Sequence, residues 1–306
     1  MKYLSIPGTS LKASNIVMGC MRIGSLTPAK LETLIRENME LGINFFDHAD
    51  IYGKGNCETL FGQAVDLHSS LRDSMIIQTK CGIRGGFFDF SKEHIINSVD
   101  NSLQRLNTDY LDVLLLHRPD TLMDPIEVAE AFNELHQAGK VRAFGVSNQN
   151  SLQMELLQKY CPFKLGINQL QFGLGHTPLV DAGIAANMTI DQSTHRTGEF
   201  LEYARLNDIT IQAWSPFQYG YFEGLIFNNK DKYGKLNEVI DELAEKYSVS
   251  NTAIATAWIT RHPANIQVIA GSTKVSRMKD VVDGSELPLT RQEWYRLYTA
   301  AGNMLP

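Results

Sequence analysis

Asn44-Phe45-Phe46-Asp47-His48-Ala49-Asp50-Ile51-Tyr52-Gly53, then Met75-Ile76-Ile77-Gln78-Thr79-Lys80, then Val113-Leu114-Leu115-Leu116-His117, are the stretches that decide the fold. Each is a short apolar run closed by polar or charged residues, the pattern of a strand buried on both faces in a parallel sheet covered by helices. Asp47 and Lys80 lie 33 positions apart, and Lys80 and His117 lie 37 apart, which suits one strand-helix-strand step each. In a barrel of such steps the C-terminal strand ends meet at one mouth, so Asp47, Tyr52, Lys80 and His117 would face one another.

Working outward, strand-like runs fall at 15–19, 44–47, 75–80, 111–117, 143–147, 164–169, 209–214 and 266–270, with a hairpin ahead of them around Pro7-Gly8-Thr9. Helical patterns alternate with them at 28–41, 58–67, 92–106, 125–137, 151–159, 199–206, 236–247 and 252–261. Pro28 and Pro125 stand where a first helical turn accepts proline, and Ile95, Val99, Leu103 and Leu106 recur at helical spacing. Eight strands, each followed by helix, predict one closed (β/α)8 TIM barrel spanning residues 1–306 as a single domain. A doubly wound open sheet is the runner-up. It is disfavoured because no Gly-x-Gly-x-x-Gly joins an early strand to a helix.

The chain has 306 residues, 43% of them hydrophobic, somewhat more than the roughly 250 of a plain eight-fold barrel. The excess is assigned to two long loops. One follows Lys80 and holds Arg84-Gly85-Gly86-Phe87-Phe88-Asp89-Phe90, and the other runs from Ser215 to Lys235 with Tyr219, Tyr221, Phe222 and Phe227. Loops of this length are usually lids or binding elements. A net charge of −6 with no basic run argues against nucleic acid or an anionic membrane surface as partner. No stretch reaches the ~20 apolar residues that span a bilayer, and the first residues lack a signal-peptide core, so a cytoplasmic location is expected. Cys20, Cys57, Cys81 and Cys161 are scattered, as reduced thiols rather than a disulfide or zinc framework.

Tyrosine, with a reference pKa near 10, is a poor proton donor at neutral pH unless a cation stabilises the phenolate it leaves, and Lys80 at the same mouth would supply one. Asp47 would hold the ammonium, and His117 would hydrogen-bond a carbonyl oxygen from the other side. The four together make a site for giving a proton to an oxyanion.

Here a family resemblance becomes specific. Asp47-His48-Ala49-Asp50-Ile51-Tyr52-Gly53 resembles the Asp-x-Ala-x-x-Tyr-Gly signature of the aldo-keto reductases, and Lys80 and His117 stand at the strand ends where that family carries its lysine and histidine. Gly145-Val146-Ser147-Asn148, Asn168-Gln169, Trp214-Ser215-Pro216 and Gly271-Ser272-Thr273-Lys274 with Arg277 continue the likeness over nearly the whole chain. A bacterial branch of predicted oxidoreductases shares Asp-His-Ala-Asp-Ile-Tyr-Gly and His-Arg-Pro-Asp with it. The resemblance implies reduction of an aldehyde or ketone, with Tyr52 as general acid, Lys80 and Asp47 tuning it, and His117 orienting the substrate. It implies that Ser147, Asn148 and Gln169 bind a nicotinamide carboxamide and that Trp214 stacks on the ring, with Ser215 and Pro216 beside it. Gly19, Cys20, Met21 and Asp47 would border the same cofactor. Gly271, Ser272, Thr273, Lys274 and Arg277 would hold its phosphates, and the two cations suit a 2′-phosphate, favouring NADPH over NADH.

Departures matter as well. Gly271 stands where the family often has lysine, Met21 where many relatives place a tryptophan, and His48 where a small residue is common, so a different pocket is expected. A monomer is the default by the same likeness.

Plainer readings stand beside these. Asp47 alone would serve as a cap and His117 as a structural histidine. Asn148 or Asn150 would cap the next helix. Phe87, Phe88 and Phe90 would pack under their own loop as readily as line a pocket. Lys274 and Arg277 would form a solvated face, and Arg118 is expected to pair with Asp120. A regulatory barrel that binds NADPH with little turnover is the alternative function. His48, Asp50 and His195 pose a metal test, but no His-x-His pair occurs and Lys80 would set a cation inside the cluster, so no metal is expected.

Overall fold

The computed structural model describes all residues 1–306. The chain opens with an antiparallel hairpin of β1 (Tyr3–Ser5) and β2 (Lys12–Ser14), then alternates: β3 (Ile16–Gly19), α1 (Pro28–Glu40), β4 (Phe45–Asp47), α2 (Asn56–Ala64), β5 (Ile76–Cys81), α3 (Lys92–Leu106), β6 (Leu111–Leu116), α4 (Pro125–Gln137), β7 (Val141–Ser147), α5 (Ser151–Tyr160) and β8 (Leu165–Gln171). It continues with α6 (Pro178–Ile184), α7 (Phe200–Leu206), β9 (Thr210–Trp214), a small β10/β11 hairpin (Gln218–Tyr219, Gly224–Leu225), α8 (Lys230–Tyr247), α9 (Asn251–Thr260), β12 (Ile266–Ala270), α10 (Val275–Asp283) and α11 (Arg291–Ala300). Strands β3 to β9 and β12 close into a parallel eight-stranded barrel, with β12 pairing with β3 and β9. The fold is the TIM barrel expected, and the eight barrel strands are the eight apolar runs.

Local chemistry explains where the outer helices start. Thr27, Ser91, Asp124, Asn150 and Ser250 each accept a backbone N–H from the first turn of the helix they precede. Such a cap is worth about 0.5–2 kcal/mol. Asn150, with Gln153 reaching back, forms a full capping box on α5, which leaves Asn148 free of that duty.

The core has two layers. Outward-facing strand residues such as Phe46, Ile77, Leu114 and Val146 join the helices in one large cluster. Inward-facing Val17, Phe45, Ile76, Val113, Leu115, Ala143, Ile167 and Ile269 fill the lower bore, and Ile6 and Ala13 of the hairpin close its floor. With its floor plugged, the barrel opens only at the C-terminal mouth.

The β10/β11 hairpin and α10 stand outside the elements expected, α2 (Asn56–Ala64) starts and ends earlier than 58–67, and three further helices differ. Helix α8 begins at Lys230, where Asn229 caps it, and kinks at Tyr233, so the second long loop is shorter than the sequence pattern suggests. Helix α6 is only seven residues long with no side-chain cap, too weak a signal to read. Helix α11 carries a Thr290/Glu293 capping box and packs Trp294 on Trp258 at 4.9 Å, each indole donating to the other's carbonyl. It lies beyond the eight-fold repeat, so counting strand-helix steps does not call for it. No helix is long and apolar enough to cross a membrane.

Candidate active site

Strand register sets the site. Gly19 pairs with Asp47 and Asp47 with Gln78, while Lys80 lies opposite Leu115 on the next strand, so the polar ends of β3 to β6 rise to the same rim. Because side chains alternate along a strand, Asp47 and Lys80 point inward. His48, between β4 and the turn, points outward, and its ring is fully buried against Phe61 at 4.6 Å. His48 therefore does not shape a pocket, contrary to the expectation from its size. Its contribution inside the mouth is its carbonyl, which accepts from Lys80 Nζ at 2.7 Å.

Lys80 Nζ also donates to Asp47 Oδ2 at 2.8 Å and to the Tyr52 hydroxyl at 3.1 Å. All three of its donors are committed, and the ammonium is completely buried. Tyr52 reaches it from a tight turn whose next residues, Gly53, Lys54 and Gly55, all have positive φ. The His117 ring stands edge-on to Tyr52 with centroids 6.0 Å apart. The four residues predicted to converge do so.

Burial acts on the titration of Tyr52, Lys80 and His117. It is the largest influence on the Tyr52 phenol and raises its pKa above 10.0; Lys80 pulls the other way without cancelling it. Lowering by Lys80 was the expectation from composition of the site; desolvation of the phenolate wins. Burial also opposes the Lys80 ammonium, but the charges of Asp47 and Tyr52 outweigh it and hold the pKa above 10.5. His117 is pushed well below 6.5 by burial, then by the charges of Lys80 and Arg118, so its imidazole is neutral.

A feature absent from the sequence reading lies just beneath. Gln78 Nε2 donates to Asp47 Oδ1 at 2.6 Å and to Gln212 Oε1 at 2.9 Å, and Gln169 Nε2 donates to the same two oxygens at 3.0 and 2.9 Å. Gln212 in turn donates to Gln267 Oε1, and Gln267 donates to the Ser14 carbonyl at the barrel floor. These glutamines are buried in the bore, so the Asp47 carboxylate sits on a column of amides.

On the far side of the rim, Ser147 Oγ donates to the Gln169 carbonyl at 3.0 Å. Asn148 accepts from the Trp214 indole N–H at 3.0 Å and donates to Ser147 Oγ at 2.7 Å. Asn148 and Ser215 both have left-handed backbone, φ 57° and 47°, a conformation that non-glycine residues seldom adopt outside turns and functional sites. Pro216 is buried, and its carbonyl lies so close to Gly173 that a Cβ there would come within 2.1 Å of it. Cys20 is buried with its thiol turned toward the Met18 carbonyl, while Met21 is 41% exposed. Gly271 has open space where a Cβ would stand, the nearest contact being the Gly19 carbonyl at 3.7 Å. Thr273, Lys274 and Arg277 are exposed, and no side chain caps the start of α10.

The remaining alternatives resolve by position. Phe90 is buried over Gly82, while Phe87 and Phe88 lie at the surface. Arg118 does not pair with Asp120, whose carboxylate instead accepts from the backbone N–H groups of Phe90 and Leu122. Its guanidinium lies over Trp214 at 5.6 Å and Tyr221 at 5.9 Å. His195 is exposed beside Glu199, away from buried His48, and no group of three or more metal-ligating side chains gathers anywhere.

Residues 15–301 match the model of the aldo/keto reductase family. The chain belongs to that family. It is 38% identical over 299 residues to the oxidoreductase YdhF of Escherichia coli strain K12, covering 94% of this chain and 93% of that one. To the 6-dehydroglucose reductase of Agrobacterium fabrum it is 33% identical over 304 residues, covering 95% of each. Among solved structures, the thermostable aldo-keto reductase Tm1743 superposes with a TM-score of 0.77 at 21% identity, over 98% of this chain and all of that one. An aldo-keto reductase from Klebsiella pneumoniae, solved in complex with NADPH, gives 0.76 at 22% identity, over 99% and 97%. This aldo-keto reductase is thus an oxidoreductase with the barrel of its family.

Proposed function

We propose that this single-domain barrel reduces an aldehyde or ketone to an alcohol with NADPH, Tyr52 giving the proton. The observation that carries the proposal is the buried chain Asp47, Lys80, Tyr52, with contacts of 2.8 and 3.1 Å. A general acid must hold its proton until the transition state, and burial keeps the Tyr52 phenol neutral at ordinary pH. Once the proton moves to the carbonyl oxygen, the phenolate is left 3.1 Å from a fully buried ammonium. Neutral His117 offers one N–H and one acceptor across the Tyr52 ring, enough to orient that oxygen.

NADPH fits the residues present. Its nicotinamide supplies the hydride when bound. Gln169 spends both amide hydrogens on Asp47 and Gln212, leaving Oε1 to accept from a carboxamide, and the Asn148 and Ser147 side chains stand beside it. Phe222 lies 5.8 Å from the Trp214 ring on an exposed part of its loop, and is the side chain that yields to a planar ring stacking there. The uncapped start of α10, open Gly271, Ser272, and the Lys274 and Arg277 side chains, neither in an ion pair, suit phosphates and favour NADPH over NADH. The substrate is a small carbonyl compound.

Tyr52→Phe is expected to abolish carbonyl-dependent NADPH oxidation while leaving NADPH affinity, read by fluorescence titration, nearly unchanged. Unchanged turnover would sink the assignment. Tight NADPH binding by the wild type without oxidation by any member of a broad carbonyl panel would favour the regulatory alternative.

A further inference from the structure

We propose that Arg118 recognises a carboxylate on the substrate, so that the preferred carbonyl compounds are aldehydes or ketones bearing an acid group away from the reacting carbon. The proposal rests on the carbonyl-reduction reading and names its substrate class. Arg118 follows His117 directly, and its charge is one of those that keep the His117 imidazole neutral. The guanidinium is half-buried, makes no ion pair or hydrogen bond within the protein, and its one acidic neighbour along the chain, Asp120, is engaged by two backbone N–H groups. Five N–H donors in a planar fork are thus unspent beside the site.

What holds the fork in place is aromatic. Trp214 belongs to β9, three strands around the barrel from β6, and Tyr221 to the loop that follows, so Arg118 leans across the mouth to reach them. Cation–π contact fixes the position of a guanidinium without consuming its hydrogen-bond donors. The Trp214 and Tyr221 rings, one half-buried and one exposed, flank the guanidinium on that side and leave its fork open to a ligand in the mouth. The cofactor phosphates do not account for this cation. Lys274 and Arg277 follow β12, which lies diametrically opposite β6 in the ring of eight strands. A neutral hydroxyl would also accept from Arg118, but a carboxylate takes two parallel bonds and cancels the charge. With a net charge of −6, the molecule as a whole does not attract anions, so such a preference would need a local cation of this kind.

The test compares NADPH-dependent reduction of 4-carboxybenzaldehyde with that of its methyl ester, by the wild type, Arg118→Met and Arg118→Gln, with folding checked by circular dichroism. The wild type is expected to favour the acid over the ester by about tenfold or more in kcat/KM, mainly through KM, as a charge-assisted pair predicts. In both variants the acid-to-ester ratio should fall by at least about tenfold. Titration of the NADPH-loaded protein with benzoate should quench tryptophan fluorescence in the wild type and far less in either variant. An unchanged ratio in both variants, or a wild type that prefers the ester, overturns the proposal while the reductase reading stands. If no carbonyl compound oxidises NADPH, both fall.

Discussion

Gln169 and Asp47, 122 positions apart in sequence, are joined by a 3.0 Å hydrogen bond inside the barrel, and the same Gln169 amide nitrogen also donates to Gln212 at 2.9 Å. With Gln78 bridging the same two oxygens, the four side chains form a closed ring in which one carboxylate oxygen and one amide oxygen each receive two N–H bonds. Gln212 touches neither Lys80 nor Tyr52, yet it fixes both amides that face Asp47. Gln212→Leu would leave the Gln78 and Gln169 donors and the Gln267 acceptor short of partners. At about 1–3 kcal/mol for each of these three buried polar groups left unpaired, a loss of roughly 3–9 kcal/mol in unfolding free energy is expected, the low end if the neighbours relax. Urea denaturation measures it, and a loss below about 1 kcal/mol would show the ring to be dispensable.

The pH dependence of reduction follows from the directions of the Tyr52 and His117 shifts. As the proposed proton donor Tyr52 would have to be protonated, and its pKa is raised above 10.0 by burial, so no fall in kcat/KM is expected until the pH exceeds the pKa of an ordinary phenol. His117 must be neutral to keep an acceptor, and burial followed by two neighbouring cations holds its pKa well below 6.5. The profile should therefore show no acid-side break near 6.5. A break there that vanishes in His117→Asn would contradict the neutral imidazole.

Much of this site was legible in sequence because it lies at strand ends, where an apolar run stops on a polar residue. Asp47, Lys80 and His117 announce themselves that way, and the starts of α1 and α4 are readable from Pro28 and Pro125. The glutamine column was not, because Gln78, Gln212 and Gln267 each sit singly inside apolar strands, and only register shows that they meet. Arg118 was misjudged for a related reason. The expected pairing with Asp120 needs a side chain directed away from the mouth, as strand alternation would give, but β6 ends at Leu116, and beyond it the alternation no longer applies. The direction of the Tyr52 shift needed burial, which sequence does not quantify. Opposed effects of Lys80 and desolvation can be named in advance, but their balance depends on packing.

At the other side of the mouth, Lys274 and Arg277 predict cofactor choice. Lys274→Ala with Arg277→Ala should weaken NADPH binding by about 10- to 100-fold, in line with one or two charge-assisted phosphate contacts, and should change NADH binding little. Fluorescence titration with each nucleotide separates the outcomes. Equal weakening for both would assign the two cations to the shared pyrophosphate instead of the 2′-phosphate.

Behind the site, Asp50 offers a test of buried charge that does not depend on turnover. Its pKa is raised from 3.8 to about 7, first by burial and then by the charge of Glu58, with Arg105 and Lys80 opposing. Glu58 is itself held by Arg105 at 2.7 Å and by the Thr79 hydroxyl, while Asp50 Oδ1 is buried without a partner. Between pH 3.8 and about 7 the folded protein therefore keeps a proton that the unfolded chain releases. Folding stability contributed by this group is full below that window and declines as pH rises through it. Asp50→Asn removes the titration. It should raise the unfolding free energy by about 1–3 kcal/mol at pH near 8, a value discounted for partial solvent access, and by much less at pH near 4. Denaturant melts of both proteins at the two pH values decide it. An increment that is the same at both would mean that Asp50 ionises as freely in the fold as in the unfolded chain, and that the cluster with Glu58 and Arg105 already neutralises it.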